Sequence, residues 1–214
     1  MAVVVPTIMV ESVDEFRAAS ERVAPFARRI HIDISDGEFA PTFLLEESQL
    51  YWPPEWEIDI HAMVARPSEH LAQLIELKPS LIIIHAEVDE NVVVLLGRIK
   101  EAGIKAGLAL LKTTVPATIV EAIQLADHIM IFSGELGKHG GIASMMQLEK
   151  VRLIKNINSQ AEIGWDGGAN VENAYTLTQG GVDVLNAGGS INNADNPAEV
   201  YQTLVKEINK HGVI

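Results

Sequence analysis

Short runs of consecutive aliphatic and β-branched residues alternate along this chain with stretches whose apolar residues return every three or four positions. The runs fall at Val3–Met9, Arg29–Ile34, Glu57–Val64, Leu81–His85, Lys105–Leu110, His128–Phe132, Ala161–Trp165 and Val182–Ala187. Runs as continuously apolar as Leu81-Ile-Ile-Ile84 predict strands covered on both faces. The intervening stretches predict amphipathic helices. Ser12-Val-Asp-Glu15 has the form of a capping box opening the first of them. Pro67 with Glu69, and Pro116, suit helix first turns. Val92–Ala102 and Met145–Ile157 repeat apolar residues at helical spacing, and Asp195-Asn-Pro197 opens the last helix. The second unit is the weakest. Phe39–Glu55 holds three prolines and predicts loop with at best a short helix.

A strand–helix alternation repeated eight times predicts an α/β fold, a (β/α)8 TIM barrel in which residues 1–214 form one domain. A doubly wound sheet uses the same alternation and is the competing reading. With 48% hydrophobic residues in 214, one sizeable core can be filled, and no Pro/Gly/Ser-rich linker divides the chain. The net charge of −13 argues against nucleic acid as a partner. There is no cysteine, which excludes disulfides and thiolate catalysis. The apolar start Met1–Pro6 lacks a basic region and reads as a buried strand, not a signal peptide. No apolar run approaches the ~20 residues of a membrane span. A cytoplasmic protein without a membrane partner is expected, and assembly into a homo-oligomer is left open.

Three of the predicted strands end in side chains with chemistry: His31-Ile-Asp33, Asp59-Ile-His61 and Trp165-Asp166. Functional residues of a barrel collect at the carboxyl ends of its strands. Residues i and i+2 of a strand face the same way, so His31 and Asp33 point together. With His61 and Asp166 they offer two imidazoles and two carboxylates, an acceptable ligand set for one divalent ion, Zn, Fe, Mn or Co. Such an ion would polarise a ketone and stabilise the enediolate formed when the neighbouring carbon loses a proton. Two carboxylates flanking that carbon, Asp33 and Asp166, could remove a proton from one face and return one to the other.

Glycine-rich segments follow the last three predicted strands: Gly134–Gly141, Asp166-Gly-Gly168 and Ala187-Gly-Gly-Ser190. Glycine lets backbone N–H groups approach an anion closely. Loops after strands seven and eight form the usual phosphate site of a barrel. Gly140, Gly141, Gly167, Gly168, Gly188, Gly189 and Ser190 are therefore candidates for holding the phosphate of a small molecule. Lys138 and His139 could add positive charge there.

These segments resemble the signatures of the ribulose-phosphate 3-epimerase family. His31-Ile-Asp-Ile-Ser-Asp-Gly-Glu-Phe-Ala-Pro41 is similar to its His-x-Asp-x-Met-Asp-Gly-x-Phe-Val-Pro, and Asp59-Ile-His-Ala-Met63 to its Asp-Val-His-Leu-Met. His85-Ala-Glu87, Gly107-Leu-Ala-Leu110, Asp166-Gly-Gly168 and Val184-Leu-Asn-Ala-Gly188 extend the resemblance almost from end to end. It implies a metal-dependent isomerase that inverts C3 of a ketose phosphate, D-ribulose 5-phosphate to D-xylulose 5-phosphate. His31, Asp33, His61 and Asp166 would hold the metal, with Asp33 and Asp166 as the acid/base pair. By the same resemblance Thr7 stands for a substrate-contacting serine, and Met63 and Met130 for methionines over the reacting carbons.

The chain also departs from the pattern. Ser35, Thr42 and Ala62 replace Met, Asn and Leu, and Leu111-Lys112 stands where Asn-Pro is expected. The loop after the sixth strand is longer, and Gly189 takes the place of a serine. Ser35 and Ala62 would enlarge or polarise the pocket and admit a six-carbon substrate such as allulose 6-phosphate. A phosphosugar-binding barrel without turnover is the reading from another class.

Overall fold

The computed structural model describes residues 2–138 and 140–210. Eight strands close into a parallel barrel in chain order: β1 (Val3–Ile8), β2 (Arg29–Ser35), β3 (Glu57–Met63), β4 (Leu81–His85), β5 (Lys105–Leu110), β6 (His128–Phe132), β7 (Glu162–Asp166) and β8 (Val184–Ala187). The closed ring decides between the two topologies that the alternation allowed. The helices are α1 (Val13–Val23), α2 (Pro67–Glu76), α3 (Val92–Glu101), α4 (Val120–Leu125), α5 (Glu149–Ile157), α6 (Ala174–Gln179), α7 (Gly189–Asn192) and α8 (Pro197–Ile208). None of the described helices is long and apolar enough to cross a membrane.

Local signals acted largely as expected. Ser12 caps α1 by accepting from the Glu15 N–H at 3.3 Å, but the Glu15 carboxylate returns to the Glu11 N–H, one residue earlier than a capping box predicts. Asn196 caps α8 from Glu199, with Pro197 in the first turn. Pro116 opens a 3₁₀ turn ahead of α4 and not the helix itself. Likewise the Met145–Ile157 stretch begins as 3₁₀ over Met145–Leu148 before α5. The second unit, short of helix as expected, holds only a 3₁₀ turn at Glu47–Gln49 among its described elements.

Strand parity divides the apolar residues into two cores. Ile30, Ile32, Ile34, Ile58, Ile60, Ile82, Ile84, Ile129, Ile131 and Trp165 join the helices in the outer core. Leu81, Ile83, Ala109, Met130 and Phe132 fill the barrel interior. Trp165 is fully buried on the outer side, and its indole N–H donates to the Gly167 carbonyl at 3.0 Å. Asp166, its neighbour, therefore faces inward.

A polar cluster closes the amino-terminal end of the barrel. Arg29 donates to Asp59 at 2.8 Å and to both oxygens of Glu162 at 2.9 and 2.7 Å, and His128 Nδ1 lies 2.8 Å from the same carboxylate. Burial raises the proton affinity of Glu162, but Arg29 and His128 outweigh it and hold the carboxyl well below its ordinary 4.5. A carboxyl depressed in the fold stabilises it above the unfolded value and ceases to do so as protonation sets in. Glu162→Gln is thus expected to melt at a lower temperature than the parent at pH 7. That gap should narrow progressively below pH 4.5. Melting curves from pH 7 to pH 3 check this, and a gap independent of pH would exclude charge as its origin.

Candidate active site

The carboxyl ends of β2, β3 and β7 bring His31, Asp33, His61 and Asp166 together, with one nitrogen or oxygen of each within 4.8 Å of the others. His61 Nδ1 is 2.8 Å from Asp33 Oδ1 and 3.9 Å from Asp166 Oδ2, and His31 Nε2 is 3.2 Å from Asp33 Oδ1. Both imidazoles are fully buried. His31 Nδ1 is buried without a hydrogen-bond partner and its Nε2 has only the poorly aligned Asp33 carboxylate, a costly arrangement unless something else binds there.

Partners fix the tautomer of His61. Its Nε2 is 2.8 Å from His85 Nε2, and His85 Nδ1 is 3.2 Å from the Glu87 carboxylate. Burial pushes His85 down to about 4, so its ring is neutral at pH 7. The His85 Nδ1–H donates to Glu87, which leaves its Nε2 as an acceptor for the His61 Nε2–H. His61 Nδ1 faces an Asp33 carboxylate oxygen 2.8 Å away, close enough for one proton or one metal ion to be held between them. Glu87 is itself held by the Leu111 N–H at 2.8 Å and by the Thr114 hydroxyl. This outer chain of His85 and Glu87 is the kind that orients a metal-binding imidazole. The residues present therefore fit a divalent ion.

The two carboxyls differ in environment. Burial raises Asp33, but His31 and His61 outweigh it and hold the group well below its ordinary value. Asp166 is raised, by burial first and then by the negative charge of Asp33. Carboxyls pulled apart in this way suit one base and one acid.

A cavity of about 260 Å³ opens above these groups. Thr7, Met63, Gly140, Gly141, Gly167, Gly168, Gly188, Gly189 and Ser190 all line it, together with Asp33 and Asp166. Thr7 is buried and its hydroxyl has no partner. Met130 is fully buried in the interior core, while Phe132, two residues on, lines the cavity. The Ser190 hydroxyl donates to the Ala169 carbonyl at 3.0 Å. Lys138 lines the cavity with its ammonium 2.6 Å from Glu135 Oε2, so its charge is locally balanced. His139 lies outside the described residues.

The glycines do more than expose N–H groups. A Cβ on Gly167 would lie 2.0 Å from Gly134 N, and one on Gly168 2.3 Å from Ala143 N. The loop after β7 is thus pressed backbone to backbone against the loop after β6. Thr42, one of the departures from the family pattern, also holds that loop, its hydroxyl donating to the Gly137 carbonyl at 2.8 Å.

Two expectations about the pocket walls do not hold. Ala62 lies between the inward His61 and Met63, so it points into the outer core and touches no part of the cavity. Ser35 opens instead into a separate cavity of about 320 Å³ with Asp36, Phe43 and His70. Neither replacement enlarges the site.

The residues missed by sequence reasoning are Asn186, Asn170, Asn193 and Phe132 on the cavity wall, and His85 behind His61. The inward parity of Asn186, two residues before Gly188, was the available signal for it.

A family model described as the ribulose-phosphate 3 epimerase family matches residues 4–192. A ribulose-phosphate 3-epimerase of Helicobacter pylori is 31% identical over 172 residues, covering 76% of this chain and 78% of that protein. One of Mycobacterium bovis is 26% identical over 212 residues, covering 95% and 92%. Among solved structures, 3-keto-L-gulonate-6-phosphate decarboxylase from Vibrio cholerae superposes with a TM-score of 0.74 at 11% identity, covering 97% of both chains. That likeness speaks for the barrel alone. The family-model match spans all three strand ends that carry the His/Asp group, and with it the chain belongs to the ribulose-phosphate 3-epimerase family of isomerases.

Proposed function

We propose that the chain works as one TIM-barrel domain over residues 1–214. It inverts C3 of a ketose phosphate and converts D-ribulose 5-phosphate to D-xylulose 5-phosphate. The observation that carries this reading is the pair Asp33 and Asp166, converging on one buried site with proton affinities shifted in opposite directions. His31, Asp33, His61 and Asp166 would hold one divalent cation, Zn, Fe, Mn or Co. Bound there, the cation supplies Lewis acidity to the substrate carbonyl and offsets the negative charge that proton removal leaves on its oxygen. Asp33 takes the C3 proton and Asp166 delivers one to the opposite face; the reverse reaction exchanges the roles. The glycine loops bearing Gly140, Gly141, Gly167, Gly168, Gly188, Gly189 and Ser190 receive the phosphate. With a net charge of −13, attraction for that phosphate has to be local. Thr7 supplies a hydroxyl and Met63 an apolar wall to the sugar.

Proton NMR of the metal-loaded protein with D-ribulose 5-phosphate in D₂O tests the reading. Xylulose 5-phosphate carrying deuterium at C3 is expected, with loss of the signal on chelation and its return with a divalent ion. Turnover of allulose 6-phosphate in place of ribulose 5-phosphate would move the assignment to a six-carbon substrate. Inertness toward both would leave a phosphosugar-binding barrel without turnover.

A further inference from the structure

Asn186 is an amide in a place where packing alone asks for hydrocarbon. It lies on β8 and is 2% exposed. Its Oδ1 has no hydrogen-bond partner, and its Nδ2 meets only Met130 Sδ, a weak acceptor, at 3.3 Å. A buried amide left this way destabilises the fold unless it has a use. Asn186 also lines the cavity that holds Asp33 and Asp166.

Register places it along the substrate. Gly164 pairs with Val184 and Trp165 with Leu185, which continues to put Asp166 beside Asn186. On the other side Asn186 pairs with Val5 of β1, one layer below Thr7. Gly188 and Gly189 come two and three residues after it on the chain and line the same cavity. Asn186 thus lies beside Asp166 on the cavity wall, on the strand that leads into the glycine loop.

Resting on the phosphosugar reading above, we propose that Asn186 is a specificity-determining residue. Its amide pairs with the substrate hydroxyl on the carbon between the reacting centre and the phosphate ester, C4 of a ketopentose 5-phosphate. A site built to hydrogen-bond a hydroxyl discriminates strongly against the analogue that lacks it, because the protein's own polar group is then left unpaired. The side chain carries no charge and takes no part in proton transfer. Its effect falls on which polyol phosphate is accepted.

The test compares binding of D-ribitol 5-phosphate and its 4-deoxy analogue, neither of which can be epimerised, by titration calorimetry. The wild type is expected to favour the hydroxylated ligand about 10- to 100-fold. Asn186→Leu, of similar size, should bind the two within about twofold of each other. Its melting temperature should not fall, since the substitution breaks no strong hydrogen bond in the protein. If Asn186→Leu does not fold, Asn186→Ala gives the same comparison. Equal binding of the two ligands by the wild type, or full discrimination retained by the variant, overturns the proposal. Discrimination without epimerase turnover leaves Asn186 assigned and removes the catalytic reading. Failure of the wild type to bind ribitol 5-phosphate removes both.

Discussion

Asp33→Asn and Asp166→Asn are each expected to lower kcat for epimerisation by about 10²- to 10⁴-fold, the range associated with a positioned acid or base. Both substitutions keep the shape of the side chain and remove its ability to carry a proton. Their effects on stability should differ. Asp33 sits against His31 and His61, which favour its charged form, so the asparagine loses that pairing. Asp166 is buried near Asp33, and both effects disfavour its charge. In the metal-free protein the fold holds the Asp166 proton more tightly than the unfolded chain does. Stability therefore falls as pH rises above the ordinary value of 3.8 until Asp166 ionises in the fold. Asp166→Asn removes that loss, and the metal-free variant should melt no lower than the parent at pH 7. Steady-state kinetics and melting of the metal-free proteins give both answers. A near-normal kcat in either variant would sink the two-carboxylate mechanism. The double variant should be scarcely slower than either single one, because a proton relay fails as a unit.

Gly167→Ala is expected to destabilise the protein by about 2–3 kcal/mol, a shift of about 5–10 °C in a chain of this size, and to raise KM for a phosphosugar tenfold or more. Two causes add. At φ +97° an alanine is strained, and its Cβ would be driven to 2.0 Å from Gly134 N, a backbone atom that cannot rotate away. The loops after β6 and β7 must then separate, and both line the cavity. Gly141→Ala is the matched control, with φ +96° and nothing within 4 Å of the new Cβ. It carries the conformational strain alone, about 1 kcal/mol. Melting curves for the two variants separate strain from collision. Equal effects would mean that contact between the loops contributes nothing.

The barrel was legible because alternation is written residue by residue. Trp165 facing the helices and Asp166 facing the interior follow from period two, as do His31, Asp33 and His61 sharing one side. Parity also reveals which residues are interior without saying how deep they lie. Depth depends on the stagger between strands that closes the ring. Met130 and Phe132 have the same parity, yet the first is buried in the interior core and the second lines the cavity. Ser35 shares the parity of Asp33 but sits past the rim, in a different cavity. Ala62 has the opposite parity, and reading it as a pocket residue set motif position above period two. Asn186 and His85 were visible as polar residues on apolar strands. Their roles depend on contacts made 56 and 24 residues away in the chain, with Met130 and His61. The 3₁₀ openings before α4 and α5 differ from helix only in how the first turn closes, which apolar spacing does not encode.

The ion cluster at the foot of the barrel includes all three strands that carry the His/Asp group at the mouth, with His128 of β6 beside them. Arg29 is on β2 with His31 and Asp33, Asp59 on β3 with His61, and Glu162 on β7 with Asp166. Each of the three strands is tied at one end by the Arg29 ion pairs and carries poorly satisfied groups at the other. The foot acts as a vice on the alignment of these strands. Loops at the mouth can be lengthened, shortened or exchanged between relatives while the strands that aim the reactive groups stay in register. For anyone retailoring this scaffold toward another sugar, the foot is the part to leave alone.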